Sequence, residues 1–197
     1  MNFLAHTFLS GDDEELLLGN FIADSVKGRQ AELYPARVAQ GIKLHRLIDA
    51  YTDTHEIVAE TKARLRPRYK KFAPVIADIY YDHFLASRFR DYSEEPLKVY
   101  TERVYRVISK YADQLPVRVQ GFFPHMRQHN WLLAYAQVDG VARALQGMSR
   151  RTAFHSGMET AAEELQKNYT FYAADFKAFF PELMRYVEEV RREGLYL

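Results

Sequence analysis

An all-α fold, a compact single-domain helical bundle spanning residues 1–197, is predicted by three observations. Apolar residues recur at helical spacing along most of the chain, seven prolines stand at intervals typical of helix ends, and no alternating run reads as a sheet. The first clear helix runs from Glu14 to Lys27, with Leu17, Leu18, Phe21, Ile22 and Val26 on its apolar side. The next begins at Tyr34-Pro35 and carries Val38, Ile42, Leu44, Leu47, Ile48 and Tyr51. Further helices are expected over 56–66, 73–89, 95–112, 118–136, 138–149, 157–170 and 172–193. The segment 73–90 is apolar on nearly every side, with Val75, Ile76, Ile79, Tyr80, Tyr81, Phe84 and Leu85, which assigns it to the core. There is no internal repeat, low-complexity tract or linker-like shift that would divide the chain.

With 197 residues the chain can build a sizeable core without disulfides or a structural metal. It has no cysteine, which excludes thiolate metal sites and cysteine nucleophiles and fits a reducing, cytoplasmic compartment. No signal peptide is expected, because the start lacks a basic segment and reaches Asp12, Asp13, Glu14 and Glu15 before a long apolar run. No stretch is long enough to span a bilayer, and a net charge of +1 argues against a general nucleic-acid binder. Gly-rich phosphate loops, nucleophile elbows and dinucleotide fingerprints are absent.

What remains is a set of His and Asp residues on apolar helices. Asp78 and Asp82 project about 40° apart on the core helix, with His83 on a neighbouring face. Two carboxylates entering apolar surroundings must meet cations, share a proton or bind a metal. His45, Asp49 and Asp53 recur at i, i+4, i+8 and share a stripe, a spacing that serves metal ligation or a carboxylate orienting an imidazole, although taken alone the motif reads as a plain helical pair. Asp24 followed by Lys27 reads either as a salt bridge or as a ligand or base beside a partner for phosphate charge. His6, in an apolar segment, reads by itself as a core histidine. His55, His125, His129 and His155 lie among polar neighbours and carry no assigned chemistry. Six cations without an acid, from Lys62 through Arg64, Arg66, Arg68, Lys70 and Lys71, form either a solvated face or a surface that steers an acidic macromolecule.

Five fragments in order resemble the acyl carrier protein phosphodiesterase family. They are Asn2-Phe3-Leu4-Ala5-His6, Gly19-Asn20-Phe21-Ile22-Ala23-Asp24, the block from Gly41 to Asp53, Asp82-His83-Phe84-Leu85 and Trp131-Leu132. The resemblance covers nearly the whole chain. It implies hydrolysis of the phosphodiester joining 4′-phosphopantetheine to a serine of holo-acyl carrier protein, with Mn²⁺ or another divalent ion such as Mg²⁺ or Fe²⁺. It also implies an HD-phosphohydrolase-like helical fold, although Asp82-His83 reverses the His-Asp order that names that group. His6, Asp24, His45, Asp49, Asp82 and His83 fall on the family's motif positions. On this reading Asp24, His45, Asp82 and His83 hold the metal, Asp49 or Asp78 orients an imidazole or accepts a proton, and His6 lines the site as ligand or acid. Lys27 and Arg46 then offset phosphate charge, and Arg64, Arg66, Arg68, Lys70 and Lys71 meet the acidic carrier protein. The alternatives are a metal-dependent phosphohydrolase of a nucleotide or other small phosphoester, and a non-catalytic helical binding protein.

Overall fold

Every regular element among the described residues of the computed structural model, 1–194, is helical. In chain order these are α1 (Phe3–Leu9), α2 (Glu14–Ile22), α3 (Ala36–Thr54), α4 (Glu56–Tyr69), α5 (Ala73–Ser87), α6 (Leu97–Lys110), α7 (Val117–Gln128), α8 (Trp131–Ala134), α9 (Val138–Ser149), α10 (Ala161–Lys167) and α11 (Tyr169–Glu193). Six short 3₁₀ turns join them. No helix among the described residues is long and apolar enough to cross a membrane.

The all-helical expectation is met, and the differences lie at particular residues. The helix expected over 118–136 is broken by Asn130, whose left-handed backbone (φ 42°, ψ 60°) ends α7 and whose side chain accepts the Leu133 N–H to start α8. Helix α1 escapes periodicity because it is only about two turns long. Pro35, Pro96 and Pro116 do stand at helix starts, but Pro67, Pro124 and Pro181 lie inside α4, α7 and α11. An interior proline removes one N–H from the ladder, a loss that neighbouring packing can absorb.

Buried apolar residues form one core cluster running from Met1 to Val190. Helix α5 lies within it, with Ile76, Ile79, Tyr80, Tyr81, Phe84 and Leu85 fully buried, as its all-round apolar sequence demands. The long α11 covers it with aromatic rings: Tyr172 meets Tyr80 edge-on at 5.0 Å, and Phe176 lies 5.9 Å from Phe84.

The closest packing joins α2 and α3. Gly19 and Gly41 face each other there: a Cβ on Gly19 would lie 2.0 Å from the Val38 carbonyl, and one on Gly41 2.3 Å from the Leu16 carbonyl. Only hydrogen atoms fit between these backbones. At the same end Asp13 caps α2 by accepting the Leu16 N–H at 2.9 Å and also binds the Arg37 guanidinium at 2.8 Å, tying the start of α2 to the start of α3. Gly41→Ala therefore destabilises the fold by about 3 kcal/mol or more, since the obstructing atoms are backbone. Gly121→Ala on α7, where an added methyl meets nothing within 4 Å, stabilises by about 0.5–1 kcal/mol. Urea denaturation of both variants checks the opposite signs.

Candidate functional site

The α2–α3 contact fixes where His45 points. Gly41 and His45 are one turn apart on α3, and Asn20 follows Gly19 on α2, so close approach of the two glycines brings the imidazole against Asn20. His45 Nδ1 donates to the Asn20 carbonyl at 2.9 Å and lies 3.1 Å from its Oδ1. Asn20, fully buried, uses its amide N–H groups on the His6 carbonyl at 2.8 Å and Ser10 Oγ at 3.0 Å. One asparagine thereby locks α1, α2 and α3 together and sets the orientation of His45.

With Nδ1 committed, Nε2 of His45 faces two carboxylates, Asp49 Oδ2 at 3.1 Å and Asp24 Oδ1 at 3.3 Å. His6 stacks on His45, with ring centroids 3.8 Å apart and planes 16° apart, and its Nε2 lies 3.1 Å from Asp49 Oδ1. Donor atoms of His6, His45 and Asp49 all lie within 4.8 Å of one another. Both imidazoles are buried, whereas the Asp24 side chain is 71% exposed and opens the cluster to solvent.

The charges divide sharply between the stacked rings. Burial works against the positive form of His45, yet its hydrogen bonds to Asp24 and Asp49 prevail and hold its pKa up to about 9. Burial, together with the charge of His45 against its face, pushes His6 down to about 4. Burial would raise Asp49, but the hydrogen bonds from both imidazoles hold it far below the ordinary carboxylate range. Asp24 is lowered chiefly by its hydrogen bond with His45. His6 Nδ1 is buried without a hydrogen-bond partner among the described residues. Two imidazole nitrogens and carboxylate oxygens converging around a position that demands positive charge form a donor set suited to a divalent ion of borderline softness.

The two core-helix acids find other partners. Asp82 accepts the backbone N–H groups of Leu4 at 2.8 Å and Ala5 at 3.1 Å, the second and third residues of α1. Asn2, at the cap position itself, makes no side-chain cap bond, so Asp82 does a capping residue's work from another helix. Burial pushes Asp82 up to about 7 despite these bonds. Asp78 lies 3.1 Å from the amino group of Met1, which also stands 3.7 Å from Asp49; burial raises the Asp78 pKa even so. His83 has both nitrogens engaged, Nδ1 at 2.7 Å from the Tyr135 carbonyl and Nε2 at 3.0 Å from the Tyr169 hydroxyl. Asp82 and His83 thus stand outside the group that His6, His45 and Asp49 form. Lys27 and Arg46 are exposed, and Arg46 donates to the Val26 carbonyl at 3.3 Å. Asp53 pairs with Lys62 at 2.6 Å. Asn20, to which sequence reading gave no role, is the main addition; its signals were its place in the Gly19–Asp24 fragment and its polarity inside an apolar run, four positions before Asp24.

A family model described as acyl carrier protein phosphodiesterase matches residues 1–183. The chain belongs to this family. It is 32% identical over 189 residues to a protein of Photorhabdus laumondii subsp. laumondii, covering 95% of this chain and 96% of the relative. It is equally 32% identical over 189 residues to one of Klebsiella pneumoniae subsp. pneumoniae, covering 95% and 98%. A Yersinia pestis protein is 30% identical over 186 residues, covering 94% and 96%. All three relatives are named acyl carrier protein phosphodiesterase. No solved structure matches the chain.

Two expectations follow. In metal-free protein, ring-proton NMR titrates His6 near pH 4 and His45 near pH 9. Stabilisation from the raised group, His45, is complete below pH 6.5 and fades as pH rises through about 9, whereas that of a lowered group such as His6 is lost on acidification. Separately, Asp82→Ala leaves two buried N–H groups without an acceptor and lowers unfolding free energy by about 3 kcal/mol, measured by chemical denaturation.

Proposed function

We propose that this chain is a metal-dependent phosphodiesterase that hydrolyses the bond between 4′-phosphopantetheine and holo-acyl carrier protein, yielding the apo-protein. The observation that carries the reading is the position of His45 Nε2 between Asp24 and Asp49, beside the stacked ring of His6. Positive charge is required there, from a proton in the metal-free protein or from a divalent ion. Membership of a family of phosphodiesterases supports the reaction class, and the names of the relatives support the substrate.

His6, His45 and Asp49 would hold the ion, a mixed imidazole and carboxylate set that accommodates several divalent metals; the family resemblance favours Mn²⁺, with Mg²⁺ or Fe²⁺ as alternatives. A bound divalent ion supplies Lewis-acid polarisation of the phosphate and a lowered pKa for water. The chain's own groups do the positioning. Asn20 holds the Nδ1–H of His45, which presents Nε2 as the ligand atom. Asp49 spans both imidazoles, fixing their separation. Asp24, exposed at the mouth, accepts a proton from the attacking water, and Lys27 and Arg46 offset phosphate charge. Asp82 and His83 act at one remove, Asp82 by fixing α1 and with it His6. The water oxygen goes to phosphorus, and the serine oxygen of the carrier protein leaves with a proton. A cytoplasmic location belongs to the same reading, as does kinship with the HD phosphohydrolases.

Mass spectrometry of holo-carrier protein incubated with enzyme and Mn²⁺ tests this. The phosphopantetheine mass is lost with wild type and retained after chelator treatment. Asp24→Asn slows conversion about 10²–10⁴-fold, as removal of a general base does. His45→Ala costs at least about 100-fold, the upper range for a residue that merely supports a ligand. Conversion that proceeds unchanged in chelator refutes the metal-dependent mechanism.

A further inference from the structure

The cations of 62–71 do not form one uniform surface. Lys62 is buried against Asp53, and Arg64 pairs with Asp175 and Glu60, so these two charges serve the fold. Arg68, Lys70 and Lys71 instead line a groove whose opposite wall is the segment 154–160. Phe154 stands on that wall with 69% of its surface exposed, and the Lys71 ammonium sits 4.8 Å from its ring centroid. Arg150 and Arg151, just before this wall, are also exposed. The acid lining the groove, Glu159, is already engaged by the Ser149 hydroxyl at 2.6 Å and lies 3.9 Å from His155.

The groove is held in shape from both sides. Lys70 ends α4 with a positive φ of 49° and ψ of −121°, a costly conformation for a residue with a side chain. Across from it, Thr152 donates to the carbonyls of Ser149 and Phe154, and Ser156 donates to Ser149 Oγ at 2.9 Å. An exposed aromatic ring with one cation against it and two more lining the same groove has the composition of an interface anchor with a charged rim. Helix α5 connects the groove to the surroundings of the site. Helix α5 starts two residues after Lys71, and Asp78, five residues along it and about 7.5 Å up its axis, meets the Met1 amino group beside Asp49.

We propose that this groove docks the acidic face of the carrier protein, with Phe154 as the apolar anchor and Arg68, Lys70 and Lys71 as the cationic rim. Resting on the substrate assigned above, it narrows the contact from a run of sequence to one groove and adds a residue outside that run. Charge complementarity favours this partner: Arg68, Lys70 and Lys71 outnumber Glu159, the acid that lines the groove.

The test is fluorescence anisotropy of labelled apo-carrier protein, which cannot be turned over, titrated with wild type, Phe154→Ser, Lys71→Glu and the charge-matched control Arg118→Glu on α7. Circular dichroism melts verify that each variant is folded. Phe154→Ser and Lys71→Glu each weaken binding at least about tenfold, while Arg118→Glu stays within about twofold. Binding of both groove variants within about twofold of wild type overturns the assignment, as does failure of wild type to bind. Conversion of holo- to apo-protein, followed in parallel, reports on the reaction separately. Lost binding in Phe154→Ser without conversion by wild type leaves the groove standing and removes the hydrolysis. Conversion with unaltered binding in both variants does the reverse.

Discussion

Two glycines without room for a methyl between them set the geometry on which the site depends. Gly19 and Gly41 let the backbones of α2 and α3 touch, and the neighbouring residues inherit that closeness. Asn20 then reaches His45 through both its carbonyl and its side chain, and it reaches α1 through the His6 carbonyl. If either glycine carried a side chain, the helices would separate by more than a hydrogen bond can stretch. Stacked imidazoles 3.8 Å apart are thus a consequence of backbone packing as much as of their own chemistry.

The acids around the helix contacts show two solutions to one electrostatic problem. Asp82 and Asp78 are satisfied from within the fold, by two amide N–H groups of α1 and by the Met1 amino group. Neither requires anything from outside. Asp49 and Asp24 share the one nitrogen of His45, which must then carry a proton far above its ordinary pKa or give way to a metal ion. A cluster that draws in positive charge in this way is where the proposed cation-dependent reaction is best placed.

Periodicity revealed most of the helices because their apolar faces are long, and it failed where local chemistry overrules it. Asn130 enters a left-handed conformation inside an otherwise helical run, and α1 is held at its start by Asp82, which lies 78 positions away from Leu4. Within the site, His6, His45, Asp49 and Asp24 were legible as motif positions, and the structure brings them together. Adjacency in sequence does not keep Asp82 and His83 together: neighbours on a helix point about 100° apart, so one turns to α1 and the other to Tyr135 and Tyr169. Asn20 was not legible as a positioning group because its role depends on a partner 25 residues away.

Anomalous scattering from Mn²⁺-soaked crystals tests the central claim most directly. The account predicts a manganese peak bound by His6, His45 and Asp49, with Asp82 still bonded to the amides of Leu4 and Ala5. A peak bound instead by Asp82 and His83, or no peak at His45 in saturating Mn²⁺, would contradict it.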